Sequence, residues 1–424
     1  MKTYDWKELA AIAKQKSPFY AELYKHCQVF EQLAELPIID QPSYWNANTI
    51  RNNRVLTAEM NDGIVFKSGG TTGNPKFSIY TRDEWNIFTQ VFGEGMSKAG
   101  LAQGDRIANL FYVGELYASF IFIMKSIEFA PLPALQFPIS GATAPEAILK
   151  AIWDFEINVL AGLPTTLINV AEYYAQNADK YRDLKVNKIM FGGESMYPDQ
   201  RERLEKIFPG VNIVSVGYAS VDAGLLGYAD TSCGIDEHRA FGRHTIMEIV
   251  DEDTLKPISE PGLPGKLLIT NLTRGLMPII RYPVGDRACW AETANEAGSD
   301  RKFVILGRSE EAARVGPVSV YYEDMRAFLV GLSLRLQIIG FQLLIKHHDT
   351  KDELTVRIAI PDPTQGKAAL KQKIATEFGV QRSMFAEAVR DNKIHPLSIE
   401  WIEPDQLEIN SRTGKLRRVI DHRA

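Results

Sequence analysis

The chain has 424 residues, of which 45% are hydrophobic and 24% are charged, and its formal net charge is −5 at pH 7. The length predicts two or three domains, and the composition is typical of an ordinary globular protein. The negative charge argues against general nucleic-acid binding, which depends on concentrated lysine and arginine, so we expect no nucleic-acid partner.

Targeting and membrane signals are weak. The N-terminal segment MKTYDWKELAAIAKQK is charged throughout and has no apolar core, so we expect no secretory signal. The nearest approach to a membrane span, Leu116 to Met124, has about half the ~20 residues required, and it predicts a buried helix. Cys27, Cys233 and Cys289 are too few and too scattered for a disulfide framework. These features predict a cytoplasmic protein with no membrane partner.

A glycine-rich segment follows the first predicted strand. Residues 5–34 have helical spacing that is broken at Ser17–Tyr20, where serine before proline is typical of a helix start. Ile64–Phe66 predicts a strand, and SGGTTGNPK at Ser68–Lys76 follows it closely. Glycines let a backbone approach a ligand, and successive N–H groups and hydroxyls form an anion site. We therefore predict a loop that cradles phosphate.

This loop differs from two common phosphate-binding motifs. A Walker A loop has glycine before its lysine and serine or threonine after it. Here Pro75 precedes Lys76 and Phe77 follows it. The G-x-G-x-x-G spacing of dinucleotide-binding loops is also absent. An ordinary surface turn is the alternative interpretation.

The middle of the chain alternates predicted strands and helices. Strand NKIMF, a helix bounded by Pro198 and Gly210, and strand VNIVSVGYAS predict a parallel βαβ unit. Ligands bind such sheets at the carboxyl ends of strands, where GGE (Gly192–Glu194) and YASVD (Tyr218–Asp222) are placed. The earlier predicted elements are a helix at Glu84–Ala99, a turn and strand within Leu101–Gly114, a helix at Ile148–Phe155, and a strand at Val159–Leu167 that runs into a turn at Pro164.

The last part of the chain predicts two smaller pieces. After Gly224 the sequence has short apolar runs between Gly and Pro turns, which indicates an antiparallel sheet or small barrel, including a hairpin of Met247–Val250 with Lys266–Thr270. A linker is predicted at Gly307–Ala312. Beyond it, QIIGFQLLIK and ELTVRIAI predict paired strands, KAALKQKIATEFGV a helix and HPLSIEWIE a strand, which make an α+β domain of roughly a hundred residues. We place the domains at 1–309 and 310–424, and the fold class is α/β with a large N-terminal domain.

Six separated motifs resemble those of the adenylate-forming (AMP-binding) superfamily, in the same order. They are SGGTTGNPK (Ser68–Lys76), GGES (Gly192–Ser195), YASVD (Tyr218–Asp222), GKLLITNLTRGLMPIIRYPVGD (Gly265–Asp286), GRSEE (Gly307–Glu311) and RTGKLRRVID (Arg412–Asp421). Three features resemble the phenylacetate–CoA ligase family within it: SPFY near the start, NLTRGLMPIIRY and GKLRRVID. The short chain fits that branch too, and phenazine-pathway adenylating proteins resemble the same branch.

The resemblance implies a two-step reaction. A substrate carboxylate attacks the α-phosphorus of ATP and releases pyrophosphate, and a thiol or amine then takes the acyl group from the acyl-adenylate. The implied cofactors are ATP, Mg²⁺ and CoA. The implied small C-terminal domain is mobile, because it must close to deliver a lysine, with the hinge at Glu310.

The resemblance also implies roles for individual residues. The catalytic residues are Lys415, Asp222 and Thr71, and Asp222 also assists Mg²⁺. The nucleotide-binding residues are Ser68, Gly69, Gly70, Thr71, Thr72, Gly73 and Lys76 at the phosphates, Gly192, Gly193 and Glu194 at the adenine, Tyr218, Ala219 and Ser220 in the YASVD motif, Tyr282 and Asp286 at the ribose, and Arg308 at the ribose or phosphates.

Each assignment has a structural alternative. Asp222 stands where the family has glutamate, and a strand-end cap is its alternative role. Asp286 in an exposed turn, Arg308 in a surface salt bridge and Lys415 as one more cation of a basic tail are the others. Pro283 and Val284 replace the Arg-Thr of the family motif.

The substrate acid and the acyl acceptor are less defined. An aromatic acid is expected, and the pocket candidates are Phe137, Ile139, Gly141, Gly217 and Ala219, which could equally be core residues. Gly316 and Pro317 replace an Arg-Gly that helps to form thioesters in CoA ligases. The acceptor therefore stays open between CoA and an amine or amino acid in a biosynthetic pathway. A homologue that binds nucleotide or acid without turnover is the third alternative, and a homodimer is left open.

Two groups of metal-binding residue types also occur. Cys233, His238 and His244 lie within a dozen residues, but their spacing is not that of a standard zinc finger. His347 and His348 are expected to be solvated loop residues.

Overall fold

The computed structural model describes most of the chain, and it divides into two compact units. The described residues are 2–27, 31–68, 76–194, 196, 198–252, 254–294, 300–308, 312–316, 318–332, 336–349, 351–365, 368–390, 392–410 and 414–423. The first unit comprises Met1–Leu306 and Arg412–Gly414, and the second comprises Gly307–Ser411 and Lys415–Ala424. The boundary between the units falls within the strand Lys302–Arg308, near the predicted linker.

The helices of the first unit begin at residues that satisfy free N–H groups. Thr81 and Glu84 form a reciprocal capping box at the helix Arg82–Lys98. At the helix Pro18–Leu23, the Ser17 hydroxyl accepts a hydrogen bond from the Tyr20 amide, as the serine–proline signal predicts. The helices are α1 (Trp6–Lys16), α2 (Pro18–Leu23), α3 (Gln41–Ala47), α4 (Arg82–Lys98), α5 (Ser119–Glu128), α6 (Pro145–Asp154), α7 (Pro164–Gln176) and α8 (Pro198–Ile207).

Three sheets form the rest of the first unit. The strands are β1 (Ile64–Ser68), β2 (Lys76–Tyr80), β3 (Arg106–Leu110), β4 (Leu135–Pro138), β5 (Val159–Gly162), β6 (Lys188–Phe191), β7 (Asn212–Ser215), β8 (Tyr218–Ser220), β9 (Gly224–Tyr228), β10 (Glu237–Ala240), β11 (Thr245–Val250), β12 (Gly265–Asn271), β13 (Tyr282–Trp290) and β14 (Lys302–Arg308). A parallel sheet has the order β4-β3-β5-β6-β7, an antiparallel sheet has the order β11-β12-β13-β14-β10-β9-β8, and β1 pairs with β2 as a hairpin.

The second unit is an α+β structure. It contains β15 (Ala312–Val315), β16 (Val318–Tyr321), α9 (Tyr322–Gly331), β17 (Gly340–His348), β18 (Lys351–Ala359), α10 (Ala368–Gln381), α11 (Ser383–Arg390), β19 (Ser398–Ile402) and β20 (Val419–Asp421). Strands β17 and β18 form the central antiparallel hairpin of a sheet with the order β19-β18-β17-β20. Phe378 contacts Phe328 and Phe385 edge-on, and these rings join the helices.

The α/β fold class is confirmed, because the chain combines a parallel sheet with antiparallel sheets. The βαβ unit around Gly192 is present, since β6 and β7 are parallel neighbours joined by α8. The Met247–Val250 hairpin is also present, with Met247 opposite Ile269. Within the described residues, no helix is long and apolar enough to cross a membrane.

Two predicted elements were wrong. Pro164 does not end a strand in a turn; it begins α7, because proline in the first helical turn has no N–H group that needs a partner. The segment VNIVSVGYAS is not a single strand. It breaks at Gly217, whose φ of +122° suits glycine, and Tyr218 then begins β8 in the antiparallel sheet.

Candidate active site

The glycine-rich loop connects the two strands of a hairpin. Strand β1 ends at Ser68 and β2 begins at Lys76, and these two residues are paired across the hairpin. Gly69, Gly70, Thr71, Thr72 and Gly73 lie outside the described residues, as does the side chain of Ser68. Their phosphate contacts stay predictions, and Lys76 is the member of the motif whose side chain can be located.

Lys76 lies beside the carboxylate of Asp222. Its Nζ atom is 3.9 Å from Asp222 Oδ2 and donates a hydrogen bond to Gln41 Oε1 at 3.2 Å. The same atom lies 5.5 Å from the centroid of the Trp45 ring. Since 27% of the Lys76 side chain is exposed, the ammonium is anchored without being fully buried.

Asp222 is largely buried among hydroxyl groups. The hydroxyls of Ser78 and Tyr282 each approach one of its carboxylate oxygens at 3.5 Å. The Tyr282 hydroxyl in turn accepts a hydrogen bond from Trp45 Nε1 at 3.0 Å. Two long contacts from hydroxyl groups thus surround a single carboxylate.

Arg274 fixes the backbone at this site. Its guanidinium is fully buried and donates to the carbonyl oxygens of Asp222 at 2.6 Å and Ile79 at 2.8 Å. It also lies 4.0 Å from the centroid of the Tyr80 ring. Burial raises the pKa of Tyr80 to about 12, so this phenol stays protonated and donates to the Val221 carbonyl at 2.7 Å. Arg274 and Tyr80 thus tie the turn after β8 to strand β2.

The two motifs predicted to bind adenosine meet at a tyrosine–carboxylate pair. The hydroxyl of Tyr218, on β8, donates a short hydrogen bond to Asp286 Oδ2 on β13. Ser220 lies on the same strand, and its hydroxyl accepts from the amides of Asp222 and Ala223. The pairing of β8 with β9 therefore orients both the YASVD motif and the turn that carries Asp222.

The GGE motif follows β6 at the carboxyl end of the parallel sheet, as predicted. Gly193 has a φ of +79°, a conformation that favours glycine. A Cβ atom on Gly192 would lie 2.5 Å from Val216. Glu194 Oε2 accepts a hydrogen bond from the Thr165 hydroxyl, in the first turn of α7, at 2.7 Å. The carboxylate of Glu194 is thus held in place by the neighbouring strand–helix unit.

The five candidates for the acid pocket pack against different parts of the first unit. Phe137 lies against Phe155, with ring centroids 5.5 Å apart, and Ile139 packs on the same cluster as Phe137. A Cβ atom on Gly141 would lie 2.3 Å from the Leu110 carbonyl oxygen, and one on Gly217 would lie 2.9 Å from Phe92. Ala219 is partly buried against another cluster. Close packing explains both glycines, and the ligand contacts of all five residues stay predictions.

The two remaining cations are less fully defined. Arg308 is the last residue of β14, and its side chain lies outside the described residues. Lys415 belongs to the second unit. Its carbonyl accepts from the Asn410 amide at 2.8 Å, and Ile409 forms an isolated bridge with Leu416. The backbone that carries Lys415 is therefore held by local pairing, and its catalytic role stays a prediction.

These geometries agree with what a family model finds in the sequence. Residues 28–277, more than half of the chain, match the model described as AMP-binding enzyme. The chain belongs to this family. The resemblance predicted from the six motifs is confirmed.

This AMP-binding enzyme is also similar to known relatives and solved structures over most of its length or a large part of it. A phenylacetate–coenzyme A ligase of Thermus thermophilus is 25% identical, over 98% of this chain and 95% of the relative. An indoleacetate–lysine synthetase of Pseudomonas savastanoi is 28% identical, over 60% of this chain and 59% of its own. The structure of 2-hydroxyisobutyryl-CoA ligase with 2-HIB-AMP, in the postadenylation state, covers 99% of this chain and 88% of its own with a TM-score of 0.72. At 18% identity, that structural likeness supports the fold alone.

The AMP-binding enzyme has further site residues that the sequence did not reveal. Gln41 and Trp45 lie on α3, far from the recognised motifs, and periodicity gives no sign that they contact Lys76. Thr165 was assigned to a turn. Arg274 did have a signal, because it is a lone cation within the apolar run NLTRGLMPII.

Cys233, His238 and His244, the residues weighed as a zinc site, do not converge on one point. His238 is buried and bonds through Nε2 to the Ser215 hydroxyl at 2.9 Å, while the thiol of Cys233 contacts Asp230 at 3.5 Å. Burial lowers the pKa of His238 to about 4, so this ring is neutral at pH 7. In the part of the chain that the structure describes, Cys233, His238 and His244 form no group with metal-ligand spacing.

Proposed function

We propose that this chain is an AMP-forming acid–CoA ligase that activates an aryl carboxylic acid. The acid and ATP give an acyl-adenylate and pyrophosphate, and CoA then takes the acyl group and releases AMP. The match of residues 28–277 to the AMP-binding enzyme family carries this proposal. The phenylacetate–CoA ligase that is similar over 98% of this chain supports both the acid class and CoA as the acceptor.

The first step brings two anions together, because a carboxylate must approach a triphosphate. Catalysis therefore requires cations and N–H donors where negative charge accumulates. Lys76 is suited to the β- and γ-phosphates, since it follows the glycine-rich loop and is held beside Asp222. Lys415 is assigned to the oxygen between the α-phosphorus and the carboxyl group, where a flexible ammonium can follow the developing charge.

Asp222 is assigned to Mg²⁺, which takes one or two carboxylates together with phosphate oxygens and water. The donor set at this position fits, because a single carboxylate lies among the hydroxyls of Ser78 and Tyr282. When bound, the ion would neutralise charge on the phosphates. The carboxylate of Asp222 would then exchange its contact with Lys76 for one with the cation.

Asp286 is assigned to the two ribose hydroxyls, because an ionised carboxylate accepts hydrogen bonds through both oxygens. The Tyr218 hydroxyl holds one of these oxygens and leaves the carboxylate oriented. Gly192, Gly193 and Glu194 are assigned to the adenine at the carboxyl end of β6. Phe137, Ile139, Gly141, Gly217 and Ala219 stay candidates for the acid.

An amine or amino-acid acceptor is the second candidate, and two observations favour it. The indoleacetate–lysine synthetase is similar over 60% of this chain. In addition, Gly316 follows β15 in the tight turn of the β15–β16 hairpin, where Val315 pairs with Val318. In the sequence, Gly316 and Pro317 replace an Arg-Gly that the resemblance links to thioester formation.

Acid-dependent pyrophosphate release tests the proposal. The full-length protein is incubated with ATP, Mg²⁺ and a panel of aryl and arylacetic acids. Release should require one class of acid and should fall about 10²–10³-fold in Lys415→Ala. Lys373→Ala is the matched control, because Lys373 is an exposed lysine of the same unit. No acid-dependent release from the folded protein would instead favour a homologue that binds without turnover.

The acceptor is identified in a second assay with the active acid. CoA and a panel of amino acids and amines are added separately, and AMP and the acyl product are measured. Acyl-CoA as the product supports the proposal. An acyl amide without acyl-CoA would replace CoA by an amine and would leave the adenylation step unchanged.

A further inference from the structure

Two histidines and an aspartate come together at the end of the β17–β18 hairpin. His348 pairs with Lys351 across the hairpin, and Asp349 is the first residue of the turn between them. His395 comes from the segment after α11, and its ring stacks on that of His348 with centroids 4.1 Å apart and planes 18° apart. His348, Asp349 and His395 each offer a ligand atom, and these three atoms lie within 4.8 Å of one another.

The second ring nitrogen of each histidine already has an acceptor. Nε2 of His348 lies 2.5 Å from Glu353 Oε2, and Nε2 of His395 lies 3.1 Å from the carbonyl oxygen of His348. A histidine that binds a metal usually donates its other N–H to a carboxylate or a backbone carbonyl. With these contacts, Nδ1 of each ring is left as the candidate ligand atom, and His348 Nδ1 lies 3.2 Å from Asp349 Oδ2.

The backbone holds the three residues together without a ligand. The His395 amide donates to the Asp352 carbonyl at 2.9 Å, and Ile394 forms a parallel bridge with Asp352. Asp349 has a φ of +45°, which aspartate tolerates in a tight turn. Main-chain bonds therefore position the two segments relative to each other before any ion binds.

We propose that His348, Asp349 and His395 bind a divalent transition-metal ion of the Zn²⁺ class. Imidazole nitrogen favours zinc, copper and nickel, whereas Mg²⁺ and Ca²⁺ prefer oxygen ligands throughout. Two imidazoles and a carboxylate make three protein ligands, and water completes the shell, since His348 and Asp349 are exposed. Glu353 orients His348 and adds negative charge beside the ion.

Metal binding would cross-link the second unit. The ion joins the turn of the β17–β18 hairpin to the segment between α11 and β19, which the described structure connects there through backbone contacts at Asp352. A ligand that binds the folded state alone raises the free energy of unfolding. The site lies on elements that carry none of the residues assigned to ATP or the acid, so the inference is independent of the proposed reaction.

Titration with Co²⁺ tests the site on tag-free, full-length protein treated with a chelator. The wild-type chain should bind a single equivalent at this site and show the visible absorption of cobalt with nitrogen ligands, and Zn²⁺ should displace it. His348→Ala and His395→Ala should each weaken binding by about tenfold or more, and Glu353→Gln should weaken it by about tenfold through loss of orientation.

Two control variants distinguish binding at this site from metal binding by other exposed histidines. His422→Ala removes an exposed histidine of the same unit, and His347→Ala removes the neighbouring ring, whose Nδ1 contacts Asp352 at 2.7 Å instead. Both variants should keep the cobalt spectrum and the rise in melting temperature with Zn²⁺. Cobalt binding that is absent in the wild type, or equal in all variants, would overturn the proposal.

Discussion

The ammonium of Lys76 lies 3.9 Å from the carboxylate of Asp222. Lys76 opens the strand that follows the glycine-rich loop, and Asp222 lies in the turn between β8 and β9. Each residue has an ordinary structural explanation by itself. Their contact places the cation that we assign to the phosphates beside the carboxylate that we assign to the metal.

The Asp222→Asn variant tests whether the negative charge of Asp222, rather than its size, is needed for activity. Asp222→Asn keeps the size of the side chain and removes both the metal ligand and the counter-charge of Lys76. We expect the kcat of acid-dependent pyrophosphate release to fall about 10²-fold, because a group aimed at the charge of the transition state is lost. Asp183→Asn, at an exposed position of the same unit, should leave the rate unchanged. Equal rates in both variants would remove Asp222 from the mechanism.

Arg274→Met should destabilise the first unit. The variant leaves the carbonyl oxygens of Asp222 and Ile79 without a buried donor. We expect the free energy of unfolding in urea to fall by about 2–5 kcal/mol. The variant loses hydrogen bonds from a charged group, and it leaves buried carbonyl oxygens unsatisfied, and both changes lower stability. Arg182→Met removes a largely exposed guanidinium and should change stability little. A similar small loss in both variants would contradict the anchoring role of Arg274.

Tyr218→Phe should affect nucleotide binding more than turnover. The change removes the hydroxyl that donates to Asp286 and leaves the ring in place. We expect the KM for ATP to rise about 10- to 100-fold, because a hydrogen bond to a charged group contributes roughly 1.5–3 kcal/mol and each 1.4 kcal/mol is about tenfold. Tyr173→Phe, on α7, is the matched control. If the KM for ATP is unchanged while Asp286→Ala raises it, Tyr218 does not orient the carboxylate.

His238 should make the free energy of unfolding decrease as the pH is lowered. Burial lowers its pKa from 6.5 to about 4, so the unfolded chain binds a proton more readily than the folded one. Its contribution to stability is complete above pH 6.5 and is lost as the pH falls towards 4; it amounts to on the order of 3 kcal/mol. Urea midpoints between pH 7.5 and 4.5 should fall more steeply in the wild type than in His238→Gln. Parallel curves would show that another group controls this range.

Local signals in the sequence predicted the elements that have strong boundaries. Pro198 and Gly210 delimited α8, and the apolar runs before Gly192 and around Val250 gave a parallel strand and a hairpin strand. Pro164 was misassigned because proline occurs both in turns and in the first turn of helices, and the residues after it decide between the two. Gly217 was missed as a break because the flanking residues form one apolar run, whereas its φ of +122° and the closeness of Phe92, 2.9 Å from an added Cβ atom, appear only in the folded chain.

The contacts within the site could not be predicted in the same way. Trp45 reaches Tyr282 across 237 positions of sequence, and Gln41 reaches Lys76 across 35. No periodicity encodes such a pairing, because it arises when separate elements pack together. Family motifs identified Lys76, Asp222 and Tyr282 individually, whereas the structure reveals that Trp45 and Gln41 complete the group.

The most direct measurement follows the oxygen atoms of the acid. An active acid labelled with oxygen-18 in its carboxylate is converted to product with ATP and the preferred acceptor, and the AMP is analysed by mass spectrometry. We expect one labelled oxygen in AMP, because the carboxylate oxygen that attacks the α-phosphorus stays on it when the acceptor attacks the carbonyl carbon. Label in inorganic phosphate, or AMP that contains no label despite turnover, would contradict it.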